Sequence, residues 1–119
     1  MESGCAAAEL YLALRDRPTG IFAANDEMAI GFLSSLRAVG IECPRDISII
    51  GFDDLALAPH YVPPLSTVRQ PRETLGRLAA EALIDMLEGE RRSHVPVRVV
   101  LSSELILRSS TARPATFLP

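Results

Sequence analysis

The sequence contains no lysine: all 12 basic residues among its 119 are arginine. That excludes Schiff-base chemistry, a P-loop lysine and the lysine of phosphoacceptor receiver domains. Cysteine is scarce too. Cys5 and Cys43 stand alone, with no C-x-x-C pair and no Cys/His cluster, which argues against a disulfide framework or a zinc site and for a reducing compartment. No stretch approaches 18 apolar residues, so nothing here is built to span a membrane. The opening "MESGCAAAELYLALRDR" is apolar, but it has no basic leader and is interrupted by Glu9, so it reads as a helix and not as a signal peptide. A net charge of −3 gives no basic surface for nucleic acid.

What is present is a globular balance, 48% hydrophobic and 23% charged, over a length suited to one ordinary domain. Ala7, Leu10, Tyr11 and Leu14 follow helical spacing, with Ser3 as N-cap and "DRPTG" as the stop. "IFAA" (21–24) has the character of a short buried strand. "NDEMAIGFLSSLRAVG" then opens on cap residues, places Met28, Ala29, Phe32, Leu33, Leu36 and Val39 on one helical face, and ends at a C-cap glycine, Gly40. "ISIIGF" (47–52) is a second apolar strand, rich in β-branched residues. Helix–strand–helix–strand with short connections predicts a parallel sheet carrying helices.

The pattern then changes. Residues 54–71 are loop-rich, with one short strand candidate in "LSTVR". A long helix follows, with Pro71 at N1, an apolar stripe through Leu75, Leu78, Ala79, Ala82, Leu83 and Met86, i,i+4 pairs among Glu73, Arg77 and Glu81, and Gly89 at its end. "VPVRVVLSSELILRSST" (95–111) offers two strand-like pieces parted by Ser102-Ser103, and "ARPATFLP" is a loosely held tail.

Both strand-and-turn junctions are polar. "AAND" and "GFDD" end the first two strands, at the sheet edge where open α/β proteins bind ligands. Asn25 and Asp26 also suit simple helix capping. Asp53 and Asp54 suit a strand end meeting water, a hydroxyl-binding carboxylate, or a metal site that would need further oxygen ligands. His60 and His94 fall in loops, as do the arginines of "GERRS" (89–93), and no nucleophile–base pair or G-x-S-x-G motif is present. Ile30 points away from its helix's apolar stripe, beside Ser34, and is expected to be exposed or to meet a second subunit across the loop "LALAPHYVPP".

In order, "PTGIFAANDEMAIG", "PRDIS", "GFDD" and "PPLSTV", with the close "ELILRSST", resemble the effector-binding core of LacI/GalR-family transcriptional repressors over residues 1–112. The resemblance implies a partial α/β periplasmic-binding-protein-like fold, a parallel sheet with flanking helices, mostly of the C-terminal lobe. Residues 1–69 would be that lobe, 70–93 the crossover helix of the N-terminal lobe, 94–112 the returning strands and 113–119 the tail. It implies that Asn25 and Asp53 contact a small-molecule effector, a sugar or related polyol, with Asp26 and Phe52 as secondary candidates. Ile30 and Tyr61 match the dimer interface, and Asp54 is assigned a structural role. No catalytic residue, metal or cofactor is expected.

About two-thirds of a typical member is missing from the N-terminal side, including the ligand-stacking aromatic and an effector-binding arginine. Operator DNA is therefore expected to be bound only through a headpiece absent from this cytoplasmic chain. A sheet cut mid-domain would leave an open strand edge and uncovered helix faces, so a homodimer or higher oligomer is expected. Two other readings share the pattern: a sugar-binding protein of a transport system with the same fold, and a small α/β hydrolase or phosphatase built on Asp53.

Overall fold

A computed structural model describes residues 1–88 and 98–114. It comprises two compact units, one of residues 1–69 with 104–119 and one of residues 70–103. Gly89, the "GERRS" loop, His94, the first part of the "VPVRVVL" piece and the end of the tail lie outside the described residues.

In the first unit, α1 (Glu2–Ala13) leads to β1 (Gly20–Phe22), α2 (Asp26–Ala38), β2 (Ser48–Phe52), a 3₁₀ turn at Ala58–His60, β3 (Ser66–Arg69) and finally β4 (Glu104–Ile106). The four described strands form one sheet in the order β1-β2-β3-β4; the first two pairings run parallel and β4 is antiparallel to β3. The parallel sheet expected from the alternating pattern is present. The register places Ile21 beside Ile49 and Gly51 beside Thr67 on the face that meets the helices. Phe22, Ile50, Phe52 and Val68 lie on the other face.

The two helices meet closely because glycine lines their crossing. A Cβ on Gly4 would collide with the Met28 carbonyl, and one on Gly31 with the Met1 carbonyl. This shifts the buried side of α1 from the expected Leu10 and Leu14, both exposed, to Gly4, Ala8 and Tyr11. Tyr11 packs edge-on to Phe32, with ring centroids 5.4 Å apart. The N-terminus of α1 also departs from expectation: the helix begins one residue before Ser3, with Met1 as an N-cap that lends no side-chain bond.

Helix α2 is covered on three sides, by α1, by the sheet and by the loop after β2, so its buried set is wider than one stripe. Ile30 falls inside it. At 4% exposed it belongs to the core, which corrects the expectation that its side chain is available to a second subunit. The cause is the loop: Ala58 and Leu65 are fully buried and Tyr61 packs against the same cluster, its hydroxyl 3.5 Å from the Ile30 carbonyl and 3.0 Å from Ser34 Oγ. Leu36, Ile47, Ile49 and Leu65 are the largest aliphatic side chains shut away from water, each contributing about 1.5–3 kcal/mol. Gly40, at φ +81°, makes the left-handed stop expected of a residue just past a helix C-terminus.

The "RSST" segment closes the unit at the start of β2 and β3. Ser110, fully buried, accepts from the Ser66 N–H at 2.8 Å and donates to the Ile49 carbonyl at 2.7 Å. Ser66 Oγ accepts from the Arg108 N–H at 2.8 Å, and Ile49 N–H donates to the Ser110 carbonyl at 2.9 Å. The later of the two strand-like pieces forms β4, and the described residues 98–103 carry no regular structure.

Among the described residues β1 pairs only with β2, and Phe22 at its end is 64% exposed. An apolar cavity of about 470 Å³ opens between α1 and β1, lined by Leu10, Tyr11, Ile21, Phe22, Met28 and Phe32 among others. In the second unit, α3 (Arg72–Leu87) begins one residue later than expected, with Pro71 as its N-cap. Arg77 and Glu81 make the i,i+4 ion pair at 2.8 Å, while Leu75, Leu83, Ile84, Met86 and Leu87 are exposed.

Ser110→Ala is expected to leave the Ser66 N–H and the Ile49 carbonyl without their buried partner and to cost about 1–3 kcal/mol in urea unfolding, while Ser109→Ala at the exposed neighbour changes stability by less than about 0.5 kcal/mol.

Candidate functional site

The polar ends of β1 and β2 lie side by side in the parallel sheet, so the Asn25 and Asp53 backbones emerge from neighbouring strands at one edge. Two adjacent polar pairs, Asn25-Asp26 and Asp53-Asp54, contribute here, and the structure gives the four residues different jobs.

Asn25 is the N-cap of α2. Its extended backbone lets Oδ1 accept from the Met28 N–H at 2.8 Å, satisfying one of the donors that a helix start leaves open. The side chain is half-buried, so capping and a place at the strand edge are compatible.

Asp26 is different. It is 0% exposed, and its oxygens are engaged within the protein: Oδ1 accepts from the Thr67 hydroxyl at 2.5 Å and Oδ2 from the Leu55 N–H at 2.8 Å. This corrects its listing among effector contacts: a carboxylate sealed under the sheet edge and bonded to β3 and the following loop cannot reach a ligand. The same group explains the glycine of "IGFDD". A Cβ at Gly51 would overlap Asp26 Oδ1, so the chain needs glycine there for a reason of space.

Phe52 packs edge-on to Phe22, ring centroids 6.4 Å apart, on the sheet face away from α1 and α2. Asp53 continues the β2–β3 ladder, its N–H donating to the Val68 carbonyl at 2.9 Å, with a half-buried side chain at the strand's end. Its backbone is unusual: φ is +108° at Asp53 and +51° at Asp54, a region that favours glycine and tolerates aspartate better than most residues.

Asp54 turns the other way and is held by two arginines. Arg69 Nε donates to Oδ2 at 2.7 Å, and Arg108 Nη2 donates to Oδ1 at 2.7 Å. Arg108 also donates to the Leu65 carbonyl at 2.7 Å, and Arg69 reaches Glu104 at 3.5 Å. Burial pushes the Asp54 carboxyl up, but the hydrogen bonds and charges of Arg108 and Arg69 outweigh it and hold the group below the usual aspartate range. The structural role expected for Asp54 thus has identified partners. Sequence reasoning missed those partners, Arg69 and Arg108, and missed Thr67. The signal available was the arginine of "ELILR", a cation following an alternating apolar run.

Among the described residues no group of three or more His, Cys, Asp or Glu side chains is arranged to hold a metal ion. His60 is exposed in the 3₁₀ turn. Burial raises the Cys43 thiol to about 11, against a hydrogen bond with the Ile49 backbone that lowers it, so it is protonated at neutral pH. No helix among the described residues is long and apolar enough to cross a membrane.

Comparison with known proteins is decisive at this point. Residues 2–111 match the model of the periplasmic binding protein-like domain. The lactose operon repressor of Rhizobium radiobacter is 40% identical over 114 residues, covering 96% of this chain and 98% of that protein. The chain belongs to the LacI/GalR family of transcriptional regulators. This LacI/GalR chain is also 40% identical over 109 residues to the HTH-type transcriptional repressor PurR of Photobacterium profundum, covering 92% of itself but only 32% of PurR. It thus spans about a third of that relative's length. Among solved structures, the transcriptional regulator CelR in complex with cellobiose superposes with a TM-score of 0.82 at 41% identity, over 92% of this chain and 33% of that one. The lac repressor dimer bound to operator and the anti-inducer ONPF does so with 0.79 at 30%, over 91% and 37%. The partial periplasmic-binding-protein-like fold expected from the motifs is the fold these neighbours share.

Asp54 makes an acid-sensitive contribution of definite sign. Its native pKa lies below that of the unfolded chain, so its stabilisation is present in full above about pH 4 and is lost as the pH falls through the depressed native value. Urea titrations at pH 7 and pH 2.5 are expected to show Asp54→Asn less stable than the native sequence at the higher pH, with the gap closing at the lower.

Proposed function

We propose that this chain forms part of the effector-binding and dimerisation core of a DNA-binding transcriptional regulator, and that it holds a small polyhydroxylated ligand, a sugar or related polyol, through Asn25 and Asp53. The observation that carries the reading is their placement. They follow adjacent parallel strands at the carboxyl edge of the sheet. A carboxylate suits hydroxyls because each oxygen accepts more than one donor. The cellobiose bound by CelR supports the ligand class. Ligand binding would alter DNA affinity through a coupling between two sites, and the chain acts by binding and not by catalysis. Its place is the cytoplasm, beside the DNA it regulates.

The partner in this reading is a second copy. The face beside α2 that carries Tyr61 and Ser34 is the proposed contact, Ile30 having been withdrawn into the core. The open edge of β1 and the exposed leucines of α3 also favour association.

In the intact regulator, Asp53→Ala is expected to weaken effector binding about 10- to 100-fold by calorimetry, with circular dichroism unchanged. Unaltered affinity would remove Asp53 from the site. Sedimentation of the chain is expected to show a dimer or larger species, and Tyr61→Asp to weaken self-association by about tenfold or more. A well-folded native monomer would contradict the assignment.

A further inference from the structure

Aspartates at positive φ persist where their surroundings over-determine the backbone. At residues 53 and 54 the determining contacts converge on the second acid. Asp54 is bracketed by Arg69 and Arg108, each at 2.7 Å, and its N–H donates to Thr67 Oγ1 at 3.3 Å. Thr67 is in turn bonded to the buried Asp26. The chain leaves this unit after Arg69 and re-enters it at Glu104, and those two residues sit opposite each other in the β3–β4 register and approach to 3.5 Å. One carboxylate therefore ties the 53–54 turn to β3, through Arg69, and to the segment that follows β4, through Arg108.

We propose that Asp54 is a positioning residue: with Arg69 and Arg108 it fixes the left-handed turn that aims the Asp53 carboxylate, and it links the setting of that carboxylate to the β3–β4 pair. The proposal rests on Asp53 being the ligand-binding acid. It accounts for two adjacent like charges at a strand end. The first presents to the ligand because the second is neutralised and anchored. It also gives ligand contact at Asp53 a short mechanical route to the paired strands at the unit's boundary.

Amide hydrogen exchange, followed by NMR on the 119-residue chain, tests this directly. Asp53 donates its N–H to Val68, so its exchange reports the turn. In Asp54→Asn we expect exchange at Asp53 and along β4 to quicken by about tenfold or more, while Ala8 and Phe32, in the α1–α2 core, stay within about twofold. Arg69→Gln should act in the same direction to a smaller extent, and it supplies the test if Asp54→Asn fails to fold. Added salt should quicken Asp53 exchange in the native chain and not in Asp54→Asn, because the Arg69 side of the cluster is open to solvent and screened. Uniform quickening at every amide, or no change at Asp53, would overturn the proposal. No ligand enters these measurements, so they fail independently of the sugar-binding reading, which is checked by cellobiose titration of Asp53→Ala.

Discussion

The Asp26 carboxylate, shut away from water at the start of α2, accepts from Thr67 on β3 and from the Leu55 backbone beyond β2, and it occupies the space above Gly51. A buried charge is tolerable only when its oxygens are bonded, and here each has a donor from a different element. Helix, strand ends and loop are thereby fixed relative to one another at one point. The loop so fixed runs over Ile30 and brings Tyr61 to Ser34, and the strand so fixed presents Asp53. The neighbouring Asp54 cluster depends on it as well, since Thr67 serves both acids.

The architecture was legible because it follows from local periodicity. Alternating apolar segments and caps of "NDEMAIGFLSSLRAVG" and "ISIIGF" state a helix and a parallel strand without help from tertiary contacts. Asn25 and Asp53 could be placed at strand ends for the same reason. Ile30 and Asp26 were misjudged because their environments are set by a segment some thirty residues away, which a helical wheel does not contain. The same applies to Arg69 and Arg108: neither announces itself near "GFDD", and only the β3–β4 pairing brings them together. Leu10 misled in the opposite sense. A leucine at helical spacing reads as core, yet the close approach of α1 and α2 selects glycine and alanine and leaves it outside.

The family relationship and the surface agree on a physical point. A chain spanning about a third of a repressor such as PurR carries an open strand edge, an apolar cavity beside it, and a helix in its second unit whose leucines face water. Folding has buried the sheet face that meets α1 and α2 and left Phe22, on the other face, exposed.

Asn25 Oδ1 accepts from the Met28 N–H, so the helix that this side chain caps also holds it in one orientation. A bond made to finish a helix thereby sets the direction of the amide nitrogen, which can only donate. In the proposed site that donor would stand near a carboxylate, Asp53, which when ionised can only accept. Such a pairing would favour hydroxyls, which do both, and the start of α2 would have a share in choosing the ligand.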